Sequence, residues 1–289
     1  MGCNVNECLF YVILKGRLGR RDGVFLEWNT IDRFAKSLIK EAGHKIRNSF
    51  FEHIQIEAKS NVNDLVTNID KEIEQFFIKN IQFSYSDHRV LGEEGFGDQV
   101  TALNGIVWII DPIDGTTNFI HQKRNFAISI GVYEDGVGVL GYIYDVVRDE
   151  LYAAQKGMGA FLNDERLPKL SGGIINDAII GLNARWINSK RDFNGEKLLE
   201  LVADCRGMRS YGSAALELAY VASGKLDAYI SGRLSPWDIA GGVVIAKEVG
   251  AVVTNLKGQA PGFIGPDSLI VSRPDLHETI LRNYFEARH

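Results

Sequence analysis

Cysteine is scarce, with 3 in 289 residues, and Cys3, Cys8 and Cys205 are too scattered for a disulfide framework or a thiolate metal site. A reducing cytoplasm is the expected compartment. The 6 histidines, His44, His53, His88, His121, His277 and His289, show no ligand spacing, which counts against zinc. Prolines number only 6, and no Pro/Ser-rich linker, low-complexity tract or repeat marks independently mobile domains. Long apolar runs are missing too. Cys8 to Leu14 is too short to span a bilayer and follows no basic segment, so neither a membrane span nor a secretory signal is expected. Positive charge is not in excess: 32 Lys and Arg face 37 Asp and Glu, a net charge of −5, so nucleic acid is not an expected partner.

What remains is an ordinary globular composition, 45% hydrophobic and 24% charged, over a length able to bury a large core. Residues 1–28 stand apart, with Lys15, Arg17, Arg20 and Arg21 clustered among them, and are expected to be a flexible extension. Apolar residues at Ile31, Phe34, Ala35, Leu38, Ile39, Ala42 and Ile46 predict an amphipathic helix capped by Asn29 or Thr30. Ile69, Ile73, Phe76, Phe77 and Ile81 predict a second, with acidic residues in its early turns. From Phe126 to Ala154 the pattern is that of antiparallel hairpins. The last hundred residues alternate helix and strand, and Ser235 followed by Pro236 signals a helix start. The fold class expected is α+β or α/β, with residues 29–170 forming an N-terminal half and 171–289 a C-terminal half that closes the site.

The most informative stretch is Trp108 to Phe119. Val107 to Ile110 reads as a strand buried on both faces, so Asp111 emerges where that strand ends. Pro112 removes a donor and is expected to end the ladder, Gly115 to allow a turn, and Thr116 to Asn118 to open a helix. Asp111 and Asp114 in one turn would repel each other without a cation. Hard divalent ions with oxygen ligands suit them, Mg²⁺ above all, because it keeps waters and coordination positions for a phosphate. Asp70, Glu93 and Asp238 also stand where a strand ends or a helix begins. Gly136 to Gly141 fits the spacing of a dinucleotide fingerprint, but a strand follows it where a helix is needed, so these glycines are assigned to a hairpin.

Asp111-Pro112-Ile113-Asp114-Gly115-Thr116-Thr117-Asn118, Gly92-Glu93-Glu94, Asp64 to Asp70 and Trp237-Asp238-Ile239-Ala240-Gly241, in this order, resemble the motifs of the inositol monophosphatase family of Mg²⁺-dependent, lithium-sensitive phosphatases. The segments Gly157 to Asn163 and Arg209 to Ala215 resemble recurring stretches of the same family. The resemblance implies a layered αβαβα sandwich, a homodimer, a small phosphorylated substrate, and hydrolysis by metal-activated water. It implies that Glu93, Asp111 and the Ile113 carbonyl hold one Mg²⁺ and that Asp111, Asp114 and Asp238 hold a second. Some family members use a third near Glu93. Asp70, Glu93 and Thr116 would be catalytic, and Gly115, Thr116 and Ser213 would meet the substrate.

Substrate choice is where the pattern departs. Well-studied inositol monophosphatases carry a glutamate where this chain has Ser231, with Arg233 two positions on. A lost carboxylate and a nearby guanidinium suit a more anionic substrate, so a broad or shifted specificity is expected: sugar phosphates, a bisphosphate or a nucleotide such as NADP. The alternatives on the same scaffold are therefore a fructose bisphosphatase or a nucleotide phosphatase. One of another class is a regulatory protein acting with the transcription apparatus.

Overall fold

The computed structural model describes residues 20–52, 54–58, 65–187 and 195–285. Cys3, Cys8, the apolar run at residues 8–14 and Asp64 lie outside these. Two compact units divide the chain, Met1–Glu41 and Ala42–His289, and the boundary expected at residue 170 falls inside the second. No helix among the described residues is long and apolar enough to cross a membrane.

The first helix, α1, spans Arg20–Ser49. The extension expected over residues 1–28 is thus helical from Arg20, and Asn29 and Thr30 lie inside the helix rather than at its cap. The apolar period runs back from Ile31 to Trp28 and no proline interrupts it, so nothing local stops the helix at residue 29. Residues 1–19 lie outside the description.

Within the second unit a short hairpin, β1 (Ile56–Ala58) and β2 (Leu65–Thr67), leads into α2 (Asn68–Ser84). A seven-stranded sheet follows: β3 (Arg89–Gly92), β4 (Ile106–Asp114), β5 (Ala127–Glu134), β6 (Val137–Asp145), β7 (Glu150–Gln155), β8 (Gly159–Leu162) and β9 (Glu165–Arg166). Its strands lie in sequence order. β3 and β4 are parallel and the remaining neighbours antiparallel. Asp135 and Gly136, both at positive φ, turn β5 into β6, so the glycines of residues 136–141 do serve a hairpin.

The short helix α3 (Thr116–Gln122) lies between β4 and β5. Further along come β10 (Ile179–Leu182), α4 (Gly195–Asp204), β11 (Gly207–Arg209), α5 (Ala214–Ala222), β12 (Ala228–Leu234), α6 (Pro236–Glu248), β13 (Val252–Thr254), β14 (Asp267–Ser272) and α7 (Pro274–Ile280). A five-stranded sheet orders these strands β11-β10-β12-β14-β13, parallel at β11, β10 and β12 and antiparallel at β14. Helix α2 packs on the larger sheet, α6 packs on it as well as on α5, and α5 packs on the smaller sheet, which α7 also meets. The result is the layered αβαβα sandwich. Buried aliphatic residues of α5, α6 and both sheets form one continuous core, which is why no seam opens near residue 170.

The approach of α6 to the larger sheet is close because small residues meet there. A Cβ on Gly241 would lie 2.5 Å from the Tyr142 carbonyl oxygen, and one on Gly131 2.7 Å from the Ala240 carbonyl carbon. Two hydroxyls hold the helix in place: Tyr133 Oη donates to Ala240 O at 3.0 Å and Ser129 Oγ to Trp237 O at 3.1 Å.

Candidate active site

The starts of α2, α3, α5 and α6 and the ends of β3 and β4 bring their polar side chains together. Strand β4 is buried from Val107 onward, as its unbroken apolar run requires, and delivers Asp111 at 1% exposure. The ladder does not stop at Pro112 as expected. It continues to Asp114 with a shift of register against β5 between Asp111 and Asp114. Pro112 therefore falls in a bulge, where the missing amide costs no ladder bond, and the bulge turns both carboxylates to one side. Asp111 Oδ1 accepts from the Ile113 amide at 2.9 Å. Gly115 then caps α3 in the left-handed region at φ 99°, wedged 3.2 Å from the carbonyl oxygens of Asn125 and Gly212 as measured from a built Cβ.

Asp238 arrives on the first turn of α6, where its Oδ2 accepts from the Ser235 amide at 2.8 Å. Carboxylate oxygens of Asp111, Asp114 and Asp238 lie within 4.8 Å of one another. Asp114 is held from the opposite side by α5: its Oδ2 accepts from the Ser213 hydroxyl and, at 2.7 Å, from the Ala215 amide. Glu93, at the end of β3, is half-buried, and its charge acts on Asp111 and Asp114. Its side chain also meets Asp111 through a hydrogen bond, so it adjoins the three-carboxylate cluster.

Asp70 occupies the first turn of α2 and is fully buried. Its Oδ2 accepts from the Thr67 amide at 2.9 Å and from the Thr67 hydroxyl, which fixes the carboxylate. Thr116 Oγ1 lies 3.2 Å from Asp70 Oδ1 and 3.1 Å from the Ile113 carbonyl oxygen. Threonine and aspartate are thus locked together across two helices, with the Ile113 carbonyl between them and the acidic cluster.

These carboxylates resist ionisation. Burial, reinforced by the charges of Glu93, Asp114 and Asp238, raises Asp111 well above the ordinary carboxylate range. Burial raises Asp114 to about 6 against the opposing hydrogen bonds of Ser213 and Ala215. It raises Asp70 to about 6 as well, against its bonds from Thr67. Crowded acids that repel each other while half a dozen bonds hold them in place are the environment a cation relieves. The donors are all oxygens, with no thiolate or imidazole among them, which fits a hard divalent ion such as Mg²⁺.

A cavity of about 350 Å³ adjoins the cluster, lined by Asp114, Thr117, Ser213 and Ser231 among others. Ser231 is therefore brought to the site, and Arg233 is not. The register of β12 against β14 shifts between Ser231 and Leu234, and the irregularity turns Arg233 into a neighbouring cavity. The guanidinium that does line the site is Arg185, which lies 4.8 Å over the Trp186 ring. Sequence reasoning missed Arg185, since nothing in residues 171–187 marks it. It also missed Glu217, which is 4% exposed, lines the same cavity, and is raised to about 7 by burial. A signal for Glu217 was present: it is the one charge in the otherwise apolar helix α5.

The family model described as inositol monophosphatase family matches residues 27–288. The chain belongs to the inositol monophosphatase family. It is 53% identical to an inositol-1-monophosphatase of Bacillus subtilis, over 90% of this chain and 98% of the relative. It is 35% identical to Nus factor SuhB of Vibrio cholerae, over 86% of this chain and 92% of the relative. Among solved structures it is similar to inositol monophosphatase II of Staphylococcus aureus with bound 2′-AMP, at a TM-score of 0.82 and 44% identity, covering 89% of this chain and 94% of that one. For an inositol monophosphatase family chain, the cluster on β4 and α6 and the Asp70–Thr116 pair are the parts to which the motifs pointed.

Proposed function

We propose that this chain is a Mg²⁺-dependent phosphomonoesterase of the inositol monophosphatase type, acting on inositol phosphate or related sugar and polyol phosphates. The observation that carries the reading is the trio Asp111, Asp114 and Asp238, with oxygens within 4.8 Å, beside a cavity large enough for a small phosphate ester. Asp111, Asp114 and Asp238, with Glu93 and the Ile113 carbonyl, would hold two or three Mg²⁺ ions, whose bound charge stabilises the phosphoryl oxygens and acidifies water.

The chain's own groups do the rest. The Thr116 hydroxyl and the buried Asp70 carboxylate orient the attacking water, and Asp70 is charged above pH 6 and able to take its proton. The amides of Gly115 and Thr116 donate to the phosphoryl group at the start of α3. Ser213 keeps Asp114 aimed at the cluster. Ser231, where a glutamate would meet inositol hydroxyls, leaves room for other polyols. A homodimer, implied by the resemblance, and a cytoplasmic setting, inferred from sparse cysteine, belong to the same proposal.

The test is phosphate release from inositol 1-phosphate, fructose 1,6-bisphosphate and 2′-AMP with Mg²⁺, with and without Li⁺. Release that needs Mg²⁺ and disappears in Asp111→Asn, with the fold retained, is the expected result. Full activity in that variant would discard the metal assignment. The Nus factor relative raises a second reading, a protein that binds the transcription apparatus; wild-type chain inert on every ester would favour it.

A further inference from the structure

Helix α2 buries two acids, Asp70 and Glu74, one turn apart on the same face. The Glu74 carboxylate turns to the loop that follows β3: Oε2 accepts from the Glu94 amide at 2.7 Å and Oε1 from the Phe96 amide at 2.9 Å. Gly95, at φ 79°, makes the turn that points both amides at one carboxylate. Gly92 leaves room for the acid beneath the loop, since a Cβ there would lie 2.4 Å from Glu74 Cδ and 2.5 and 2.6 Å from its oxygens.

Glu93 is the first residue of that loop. Its amide donates to Ile110 O at 3.3 Å, which ties it to β4. The far end of the loop is tied back to β3, where Asp98 N donates to Val90 O at 2.6 Å and Val90 N to Asp98 Oδ2 at 2.7 Å. Between these ties the chain runs over the surface with Gly95 and Phe96 exposed, so apolar packing does little to place it. A buried carboxylate on a helix supplies the anchor, because an acid withdrawn from water needs donors and holds strongly those it has. The same helix thereby fixes Asp70, against Thr116, and the segment from which the Glu93 side chain reaches Asp111.

We propose that Glu74 is a positioning residue for Glu93. By clamping the amides of Glu94 and Phe96 it holds the Glu93 carboxylate against Asp111, where the two would share an ion. Its own oxygens are turned to the loop, so it acts through Glu93. Its loss weakens the metal set at Glu93 and leaves the trio Asp111, Asp114 and Asp238 as it stands. The assignment rests on the phosphatase reading above, in which Glu93 is a ligand, and adds the residue on which that ligand's aim depends.

Mg²⁺ binding to the whole chain is read in two ways: the Mg²⁺ concentration that half-completes the rise in Tm, and the concentration that half-activates phosphate release from inositol 1-phosphate. Glu74→Gln keeps the side chain's shape, but its amide nitrogen faces one of the two donors, so one bond is lost. Both concentrations should rise about tenfold or more, as when a group that orients a metal ligand is removed, while KM at saturating Mg²⁺ stays within about twofold. In a Glu93→Gln background the same substitution should add less than about twofold, because the ligand through which it acts is gone. Gly92→Ala leaves Glu74 in place and crowds its carboxyl carbon. It gives a smaller rise in the same direction, which keeps the test usable if Glu74→Gln folds poorly. A lower Tm with both Mg²⁺ concentrations unchanged, or an equal effect with and without Glu93, overturns the positioning role. Wild type that neither gains Tm with Mg²⁺ nor releases phosphate overturns the phosphatase reading itself, a separate outcome.

Discussion

The Thr116 hydroxyl lies 3.2 Å from Oδ1 of Asp70, joining the start of α3 to the start of α2. Forty-six positions separate the two residues in the chain. The same hydroxyl is 3.1 Å from the Ile113 carbonyl, so one side chain links the buried acid to the backbone of the bulge that carries Asp111 and Asp114. Removing that link tests the catalytic assignment. Thr116→Val should lower kcat for phosphate release by about 10²–10⁴-fold with a much smaller change in KM, and Thr116→Ser should restore most of it. Equal losses in both variants would mean that Thr116 acts only through packing.

Asp111→Asn is expected to divide stability from function. With Mg²⁺ absent, removing one of several crowded buried acids relieves repulsion, so the variant should melt above wild type at pH 8. With Mg²⁺ present the order should reverse, because only wild type gains the stabilisation of a bound ligand. Thermal melts with and without Mg²⁺ read both effects, and a variant that gains as much from Mg²⁺ as wild type would place the ion elsewhere.

The metal-free protein should lose stability as pH rises. Asp70 and Asp114 are raised to about 6 and Glu217 to about 7, so the folded state holds these protons more tightly than the unfolded chain. Their stabilising contribution is complete below the ordinary carboxylate range, and it is lost as pH climbs through 6 for the aspartates and 7 for Glu217. Glu217→Gln should flatten the last part of that decline and raise stability at pH 8 by on the order of 1–3 kcal/mol. Denaturant titrations between pH 5 and 8 measure it; an identical slope in the variant would remove Glu217 from the account.

Gly241→Ala tests whether the close seat of α6 positions Asp238. The added methyl would meet the Tyr142 and Ile130 carbonyls, at 2.5 and 2.7 Å from the new carbon. The helix must shift, at about 1–3 kcal/mol of stability, and carry Asp238 with it. A weaker apparent Mg²⁺ affinity, read from the Mg²⁺ dependence of activity, is expected to accompany the lower Tm. A lower Tm with unchanged Mg²⁺ dependence would show that the ligand tolerates the displacement.

Much of the site was legible in the chain before its structure. The apolar run into Asp111, the Asp-Pro-Ile-Asp-Gly-Thr spacing and the Ser235-Pro236-Trp237-Asp238 helix start are local signals, since strand burial, turn chemistry and capping act over a few residues. Glu217 was legible in principle as a lone charge in an apolar helix. Other features were not. The bulge at Pro112 arises from pairing with β5, and the start of α1 at Arg20 lies beyond the cap residues that local rules would choose.

The sequence by itself pointed to the family, to the acidic residues that cluster and to the helices and strands that bear them, because each rests on neighbours in the chain. Only the tertiary structure decided which guanidinium lines the cavity beside the acidic cluster. Arg233 lies two residues from Ser231, yet a shift of register in β12 sends it to the adjoining cavity, while Arg185 arrives from a distant segment. Strand register and the packing of separate segments are set by contacts far apart in sequence, and no window of neighbouring residues encodes them.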